Sequence, residues 1–214
     1  MNLIKRNAEM KAFFDRKTEG YDEVHLALMN DKIAITTALP DSIRTVLDLG
    51  AGTGLELIPL FEKFPDAHVT AVDISESMLG VLKTRPFADR VTCIAGDFFN
   101  TDFGDRYDAV ISSAALHHFD PDNKRMLYRR IFDALRPGGI YLNSDRFYEN
   151  IEDQEIDLRD YAEDPNRWPH MDTPLAISVE TELLKDVGFT DISFEALDGR
   201  YWLNRAVKPG TVSG

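Results

Sequence analysis

Between positions 46 and 54 the chain reads Val46-Leu47-Asp48-Leu49-Gly50-Ala51-Gly52-Thr53-Gly54, an apolar run that ends in three alternating glycines. The run reads as a strand buried on both faces. The glycines give a backbone that takes positive φ and lets a ligand come close. Residues 55–64 then read as a helix, with Pro59 implying a kink or a late start. A helix start offers unsatisfied N–H groups at the same place. Twenty-three residues after Gly50, Asp73 closes a second apolar run over 68–72. An acid there accepts hydrogen bonds from both hydroxyls of a ribose. Three glycines alone would mean a tight turn. Strand, glycines, helix, strand and acid in this order predict an adenosine-type ligand at the carboxyl ends of a parallel sheet.

The same alternation runs on, which predicts α/β architecture. Residues 8–39 read as one amphipathic helix, with Val24, Leu28 and Ile35 on a common face and Pro40 as the stop. Residues 44–49 and 68–72 are the first two strands, and Ser75 is the candidate N-cap of a helix through Leu82. Strands follow at 90–95 and 107–112, a helix at 122–135, a Pro137-Gly138-Gly139 stop and a fifth strand at 140–143. Residues 146–172 are polar, and 149–164 hold eight acids against Arg159. That stretch is either a solvated helix or a lid over the site. A helix at 177–187 and two strands around an Asp198-Gly199 turn close the chain.

Composition limits the partners. Lys plus Arg number 24 against 37 Asp plus Glu, a formal charge of −13, so phosphate is repelled at long range. Nucleic-acid binders usually carry the opposite field. The single cysteine, Cys93, excludes intramolecular disulfides and cysteine-based zinc sites and points to a reducing, cytoplasmic setting. No apolar run approaches the ~20 residues that span a bilayer. At 214 residues the chain is long enough to bury a sizeable core.

The spacing decides between cofactors. A dinucleotide fingerprint has its third glycine one position later, where Leu55 stands. The Gly50-x-Gly52-x-Gly54 pattern instead resembles motif I of class I S-adenosylmethionine-dependent methyltransferases of the small-molecule type. Gly96-Asp97-Phe98, Tyr107 to Ser112 with Leu116-His117-His118-Phe119, and Leu135-Arg136-Pro137-Gly138-Gly139 resemble later landmarks of that family in order. The terminal hairpin is similar to its antiparallel ending. The resemblance is strong over 44–143 and weaker over 177–207. It implies a Rossmann-like seven-stranded, mostly parallel sheet with an antiparallel terminal strand and helices on both faces. One domain would fill 1–214, divided into a helical cap (1–40), a cofactor-binding core (41–145), a lid-like insertion (146–176) and a closing helix and hairpin (177–214).

The resemblance also implies roles. S-adenosyl-L-methionine would be the methyl donor and S-adenosyl-L-homocysteine the product. Gly50, Ala51 and Gly52 would line the methionine portion, with Asp48 acting indirectly toward its ammonium. Asp73 would hold the ribose, and Ile74 and Met78 would pack on adenine. Asp97 would accept from the adenine amino group, and the Phe98 backbone N–H would donate to the ring. The Ser113 carbonyl would meet the ammonium, and Tyr21 would close from the cap. Each has a plainer alternative in turn support or core packing.

Methyl transfer needs alignment and a dry site, and a base only when the nucleophile carries a proton. His117 and His118, just past the fourth strand, are the candidates for that base; the alternative is loop bonding and packing. Tyr148, Trp168 and His170 are candidate pocket residues of the insertion. Adjacent histidines lack metal-ligand spacing, so no metal is expected. The acidic balance and the lack of a basic arm favour a small-molecule acceptor, neutral or cationic. Rival readings are a tRNA-modifying or cofactor-remodelling enzyme of the same fold, for which Arg146 is the cation to test, and a non-catalytic S-adenosylmethionine-binding protein. A nicotinamide dehydrogenase is disfavoured by Leu55 and the hairpin. The oligomeric state has no signature.

Overall fold

Alternating apolar positions bury both faces of one sheet. The computed structural model describes residues 3–26, 29–163, 172–198 and 201–210. Strands β1 (Thr45–Leu49), β2 (His68–Asp73), β3 (Val91–Ala95), β4 (Tyr107–Ser113), β5 (Leu135–Arg146), β6 (Thr190–Ala196) and β7 (Tyr201–Val207) lie in the order β3-β2-β1-β4-β5-β7-β6. Neighbours from β3 to β5 pair in parallel, whereas β7 runs antiparallel to both β5 and β6. Helices α1 (Leu3–Lys17), α2 (Tyr21–His25), α3 (Asn30–Ala38), α4 (Leu57–Lys63), α5 (Glu76–Leu82), α6 (Pro121–Ala134), α7 (Ile151–Glu163) and α8 (Ile177–Val187) complete the order.

Side-chain alternation sorts the core. Leu47, Leu49, Val110 and Tyr141 pack under α6 and α8 with Leu127, Ile131, Leu183 and Leu184. Val46, Ala109, Ile111 and Leu142 pack on the other face with Ile35 of α3, Leu57 and Leu60 of α4 and Leu79 of α5. The chain reverses its winding between β1 and β4, and a crevice opens at the carboxyl ends of those two strands.

Several sequence expectations are corrected. The single helix over 8–39 is three helices: Gly20 adopts φ 73° between α1 and α2, the Thr18 hydroxyl closes α1 on the carbonyls of Phe14 and Asp15, and α3 begins separately at Asn30. Val24, on α2, is 65% exposed while Ile35, on α3, is buried, so they share no face; Leu28 lies outside the described residues. Pro59 sits in the first turn of α4, where its missing N–H costs nothing. Ser75 caps α5 by accepting from the Met78 N–H at 3.2 Å. The strand expected at 140–143 runs on to Arg146, paired with β7 throughout. The acidic run folds as α7. No helix among the described residues is long and apolar enough to cross a membrane.

Candidate active site

The glycine turn is set by close approach. A Cβ on Gly50 would lie 2.4 Å from the Ala115 Cβ, and Gly50 has φ 83°. The Gly50 N–H instead donates to the Val72 carbonyl at 2.8 Å, which ties the turn to the end of β2. Asp73 follows there, nearly buried. Its Oδ2 accepts from Gly52 N–H and its Oδ1 from Ser75 N–H, both at 2.8 Å, so each oxygen keeps a lone pair for the crevice. Burial raises the Asp73 pKa, and the Ser75 and Gly52 N–H groups oppose that rise.

Two adjoining cavities, of about 240 and 70 Å³, fill the crevice and share Phe14, Tyr21, Gly50, Gly52, Ser113, Ala114 and His118. The smaller is lined by Asp73, Ile74, Met78, Asp97 and Phe98. The larger is lined by Ala51, Lys32, Glu56, His117, Arg146 and Tyr201. Of the residues named from sequence for the cofactor or as a base, the fold brings all to one crevice except Asp48, which lies buried on β1 and lines neither cavity. Asp97 also accepts from the Phe99 and Asn100 N–H groups at 2.9 and 3.0 Å, which holds its loop in shape. Tyr148 is a correction: it is buried, and its hydroxyl meets Asp157 on α7 instead of the cavity. Trp168 and His170 lie outside the described residues.

The floor of the larger cavity is acidic. Behind it Asp48 faces Glu56 as a hydrogen-bonded buried acid pair and meets no other donor among the described residues, where Asp31 Oδ1 is also unsatisfied. Burial pushes Asp48 well above its ordinary pKa, and the charge of Glu56 pushes it further. Burial also raises Glu56. Lys32 pairs with Asp31 at 3.0 Å, and the Ser113 hydroxyl donates to the same Asp31 oxygen at 3.2 Å. Such a floor fits a ligand that brings its own positive charge.

Sequence reasoning missed the clasps of the cap. Asp15 accepts from the Ser75 and Ser77 hydroxyls at 2.7 and 2.9 Å and from Lys11, which brings its pKa down to about 2. Asp22 accepts from the Thr53 hydroxyl at 2.6 Å and pairs with Arg85, locking α2 to the glycine turn. Neither is marked by any motif.

The opposite wall is a buried ionic cluster. Asp145 Oδ2 accepts from the Leu116 and His117 N–H groups at 2.9 Å each, and Oδ1 accepts from Arg146 N–H at 2.8 Å and faces His117 Nδ1 at 2.5 Å. Arg146 donates to His117 Nε2 at 2.7 Å and to Asp172 at 2.5 Å. His118 Nδ1 lies 3.1 Å from Asp172. Burial alone would raise Asp145, yet His117 and the donors around it bring it down to about 2. Asp172 is likewise held well below the usual carboxylate range despite burial, by His118, His117 and Arg146. His117, His118 and Asp172 have metal-like spacing, each offering an atom within 4.8 Å of the others. The Arg146 guanidinium already donates to two of the three, His117 and Asp172.

A family model described as a methyltransferase domain matches residues 46–139, the stretch that carries the glycine turn, Asp73, Asp97 and both histidines. Over that stretch the chain is similar to class I S-adenosylmethionine-dependent methyltransferases. It is 34% identical over 139 residues to malonyl-[acyl-carrier protein] O-methyltransferase from Priestia megaterium, covering 63% of this chain and 50% of that protein. It is 34% identical over 146 residues to demethylmenaquinone methyltransferase from Clavibacter sepedonicus, covering 64% and 58%. The solved structure of human N-acetylserotonin methyltransferase with S-adenosylmethionine superposes with a TM-score of 0.72 at 22% identity. It covers 94% of this chain and 57% of that one, and shows the shared fold. The chain spans about half the length of the first curated relatives it matches. The chain thus has the expected seven-stranded sheet, with its antiparallel β7 inserted between β5 and β6.

Proposed function

We propose that the chain transfers the methyl group of S-adenosyl-L-methionine to a small-molecule acceptor and releases S-adenosyl-L-homocysteine. The observation that carries this reading is the crevice at the sheet's switch point, where Asp73 presents two braced oxygens beside a glycine turn and a group of buried carboxyls. The cofactor supplies an electrophilic methyl on a sulfonium and a cationic ammonium. Gly50, Ala51 and Gly52 bring backbone to its methionine portion, and the Ser113 carbonyl meets the ammonium. Asp48 acts on that ammonium indirectly, through the field behind the turn. Asp73 takes the ribose hydroxyls, Ile74 and Met78 clasp adenine, and Asp97 and the Phe98 N–H read its edge. Tyr21 and the cap exclude water, which alignment-driven transfer requires.

The acceptor faces the larger cavity, with His117 and His118 available to take a proton. The named relatives act on malonyl-[acyl-carrier protein] and demethylmenaquinone, and this chain with its net charge of −13 is read as acting on a small acceptor in the cytoplasm and not on nucleic acid. One domain over 1–214 carries the activity, with 1–40 as cap, 41–145 as core, 146–176 as lid-like insertion and 177–214 as closing unit.

Thermal unfolding with S-adenosylmethionine, S-adenosylhomocysteine or NAD tests the reading. Either adenosyl ligand at about 100 times its Kd stabilises the fold by ~2.7 kcal/mol. For a chain this long that is a rise of roughly 5–10 °C. A rise with NAD alone, or with none of the three, would overturn it.

A further inference from the structure

The wall opposite the glycine turn specifies a protonation state. Asp145 receives three backbone N–H groups, from Leu116, His117 and Arg146, and its carboxyl is fully buried. Those donors keep it an ionised, acceptor-only carboxylate. The ring nitrogen that faces it at 2.5 Å, His117 Nδ1, therefore carries a hydrogen. The second partner gives the same answer independently. Arg146 has no acceptor atom, so its N–H to His117 Nε2 at 2.7 Å requires a lone pair on Nε2. His117 is thus a neutral imidazole in the Nδ1–H form, with its basic nitrogen on the cavity side and a guanidinium resting on it.

We propose that His117 takes the acceptor's proton, that Asp145 is its positioning residue, and that Arg146 covers Nε2 until the acceptor displaces it. The inference rests on the methyltransferase reading and narrows it to an acceptor whose nucleophilic atom carries a proton, a hydroxyl above all. In the step, the acceptor O–H bond breaks, the N–H bond forms at Nε2, and the electron pair stays on oxygen. The proton leaves to water after the product departs. The surroundings are arranged to receive it. Asp145 lies against Nδ1 and Asp172 Oδ1 lies 3.5 Å from Nε2, so the imidazolium would sit between two carboxylates. Arg146 keeps its bond to the other Asp172 oxygen when it leaves Nε2. Among the described residues, further charged or titratable neighbours of this cluster are His118, Lys124, Tyr141 and Tyr201. The guard also accounts for a basic nitrogen, buried beside a site for a reactive sulfonium, that is not left bare.

Nitrogen-15 NMR of the histidine rings in the S-adenosylhomocysteine complex tests this without an acceptor, His117 being assigned by its loss in His117→Asn. At pH 7 the wild-type ring should show protonated Nδ1 and unprotonated Nε2. Asp145→Asn, whose amide donates to Nδ1, should invert the tautomer while leaving the ligand's Kd within threefold. Because Asp145 also supports a loop, Arg146→Gln provides a second arm: diethyl pyrocarbonate should modify His117 at least tenfold faster than in wild type. An Nε2–H or charged ring in wild type, or an unchanged tautomer in Asp145→Asn, or unchanged reactivity in Arg146→Gln, would overturn the proposal. Failure of S-adenosylhomocysteine to bind would instead overturn the methyltransferase reading, and the ring state could still be read in the free protein.

Discussion

At both ends of the crevice main-chain N–H groups brace an acid, but Asp73 is left facing the crevice, whereas Asp145 passes its hold on through side chains to His117, Arg146 and Asp172. Asp73 is braced by two backbone N–H groups from segments next to it in the fold, and the glycine turn by a carbonyl of β2. His117, Asp145, Arg146 and Asp172 come from a loop, a strand and the far side of the insertion, and they meet through side chains. The first arrangement suits a ligand that never changes. The second leaves the scaffold intact while individual side chains vary, which suits an acceptor that differs from one relative to another.

The largest expected effect is at the Asp73 end. On the proposed reading Asp73→Ala removes the acceptor for both ribose hydroxyls, and hydrogen bonds to a charged group are worth ~1.5–3 kcal/mol each. Titration calorimetry with S-adenosylhomocysteine should therefore show a Kd weaker by about 10²–10⁴. Binding within fivefold of wild type would mean that the turn recognises the ligand without its acid, and the contrast between the two ends would collapse.

At the other end the main loss is in stability. Asp145→Ala leaves three backbone N–H groups and a ring N–H without their buried acceptor, at a cost of about 3–5 kcal/mol. Calorimetry should place its Tm lower by roughly 6–20 °C at pH 7. The sign of the pH dependence follows from a folded pKa of about 2, below the ordinary 3.8. The stabilisation is present above pH ~4 and is lost as pH falls through about 2. Asp145→Asn should flatten the acid limb in that window, and a limb identical to wild type would show that the carboxylate's partners contribute nothing.

The same contrast explains how much of the molecule is legible in its sequence. Strands buried on both faces must be apolar along their whole length, and a turn that touches Ala115 must be glycine, so the sheet and the Gly50–Asp73 unit leave a local record. Asp145 and Arg146 leave none, because β5 loses its apolar pattern three residues before it ends and nothing local says that it continues beside β7. Asp22 and Thr53 are 31 residues apart and meet only because Gly20 breaks the first helix. Val24 and Ile35 mislead because they lie on separate helices, α2 and α3, and helical spacing has no meaning from one helix to the next.

Asp22 allows the junction between the two ends to be probed at an intermediate size of effect. Asp22→Ala frees α2 from Thr53 and Arg85, a loss of about 1 kcal/mol for partly exposed contacts. The affinity for S-adenosylhomocysteine should weaken about fivefold, and trypsin should cut after Lys17 faster than in wild type with the ligand present. Equal cleavage rates would separate cap closure from cofactor binding.

The smallest effect, with the opposite sign, is expected at Asp48. Its folded pKa lies well above 3.8 because burial and Glu56 oppose its charge. A raised acid makes its full contribution at low pH and loses it as pH climbs past about 4 toward the folded value. At pH 7 Asp48 is therefore a cost to the ligand-free fold. Asp48→Asn keeps the shape and removes the ionisable group, so the free protein should gain about 1 kcal/mol, or roughly 2–4 °C in Tm. The ligand's Kd should weaken only a few-fold, because Asp48 lines neither cavity. A gain in stability bought with a small loss of affinity marks an acid retained for the field it casts on the cofactor. If Asp48→Asn instead melts lower at pH 7, the carboxylate has a stabilising partner and belongs with the ionic network at Asp145 in kind, though it sits at the glycine end.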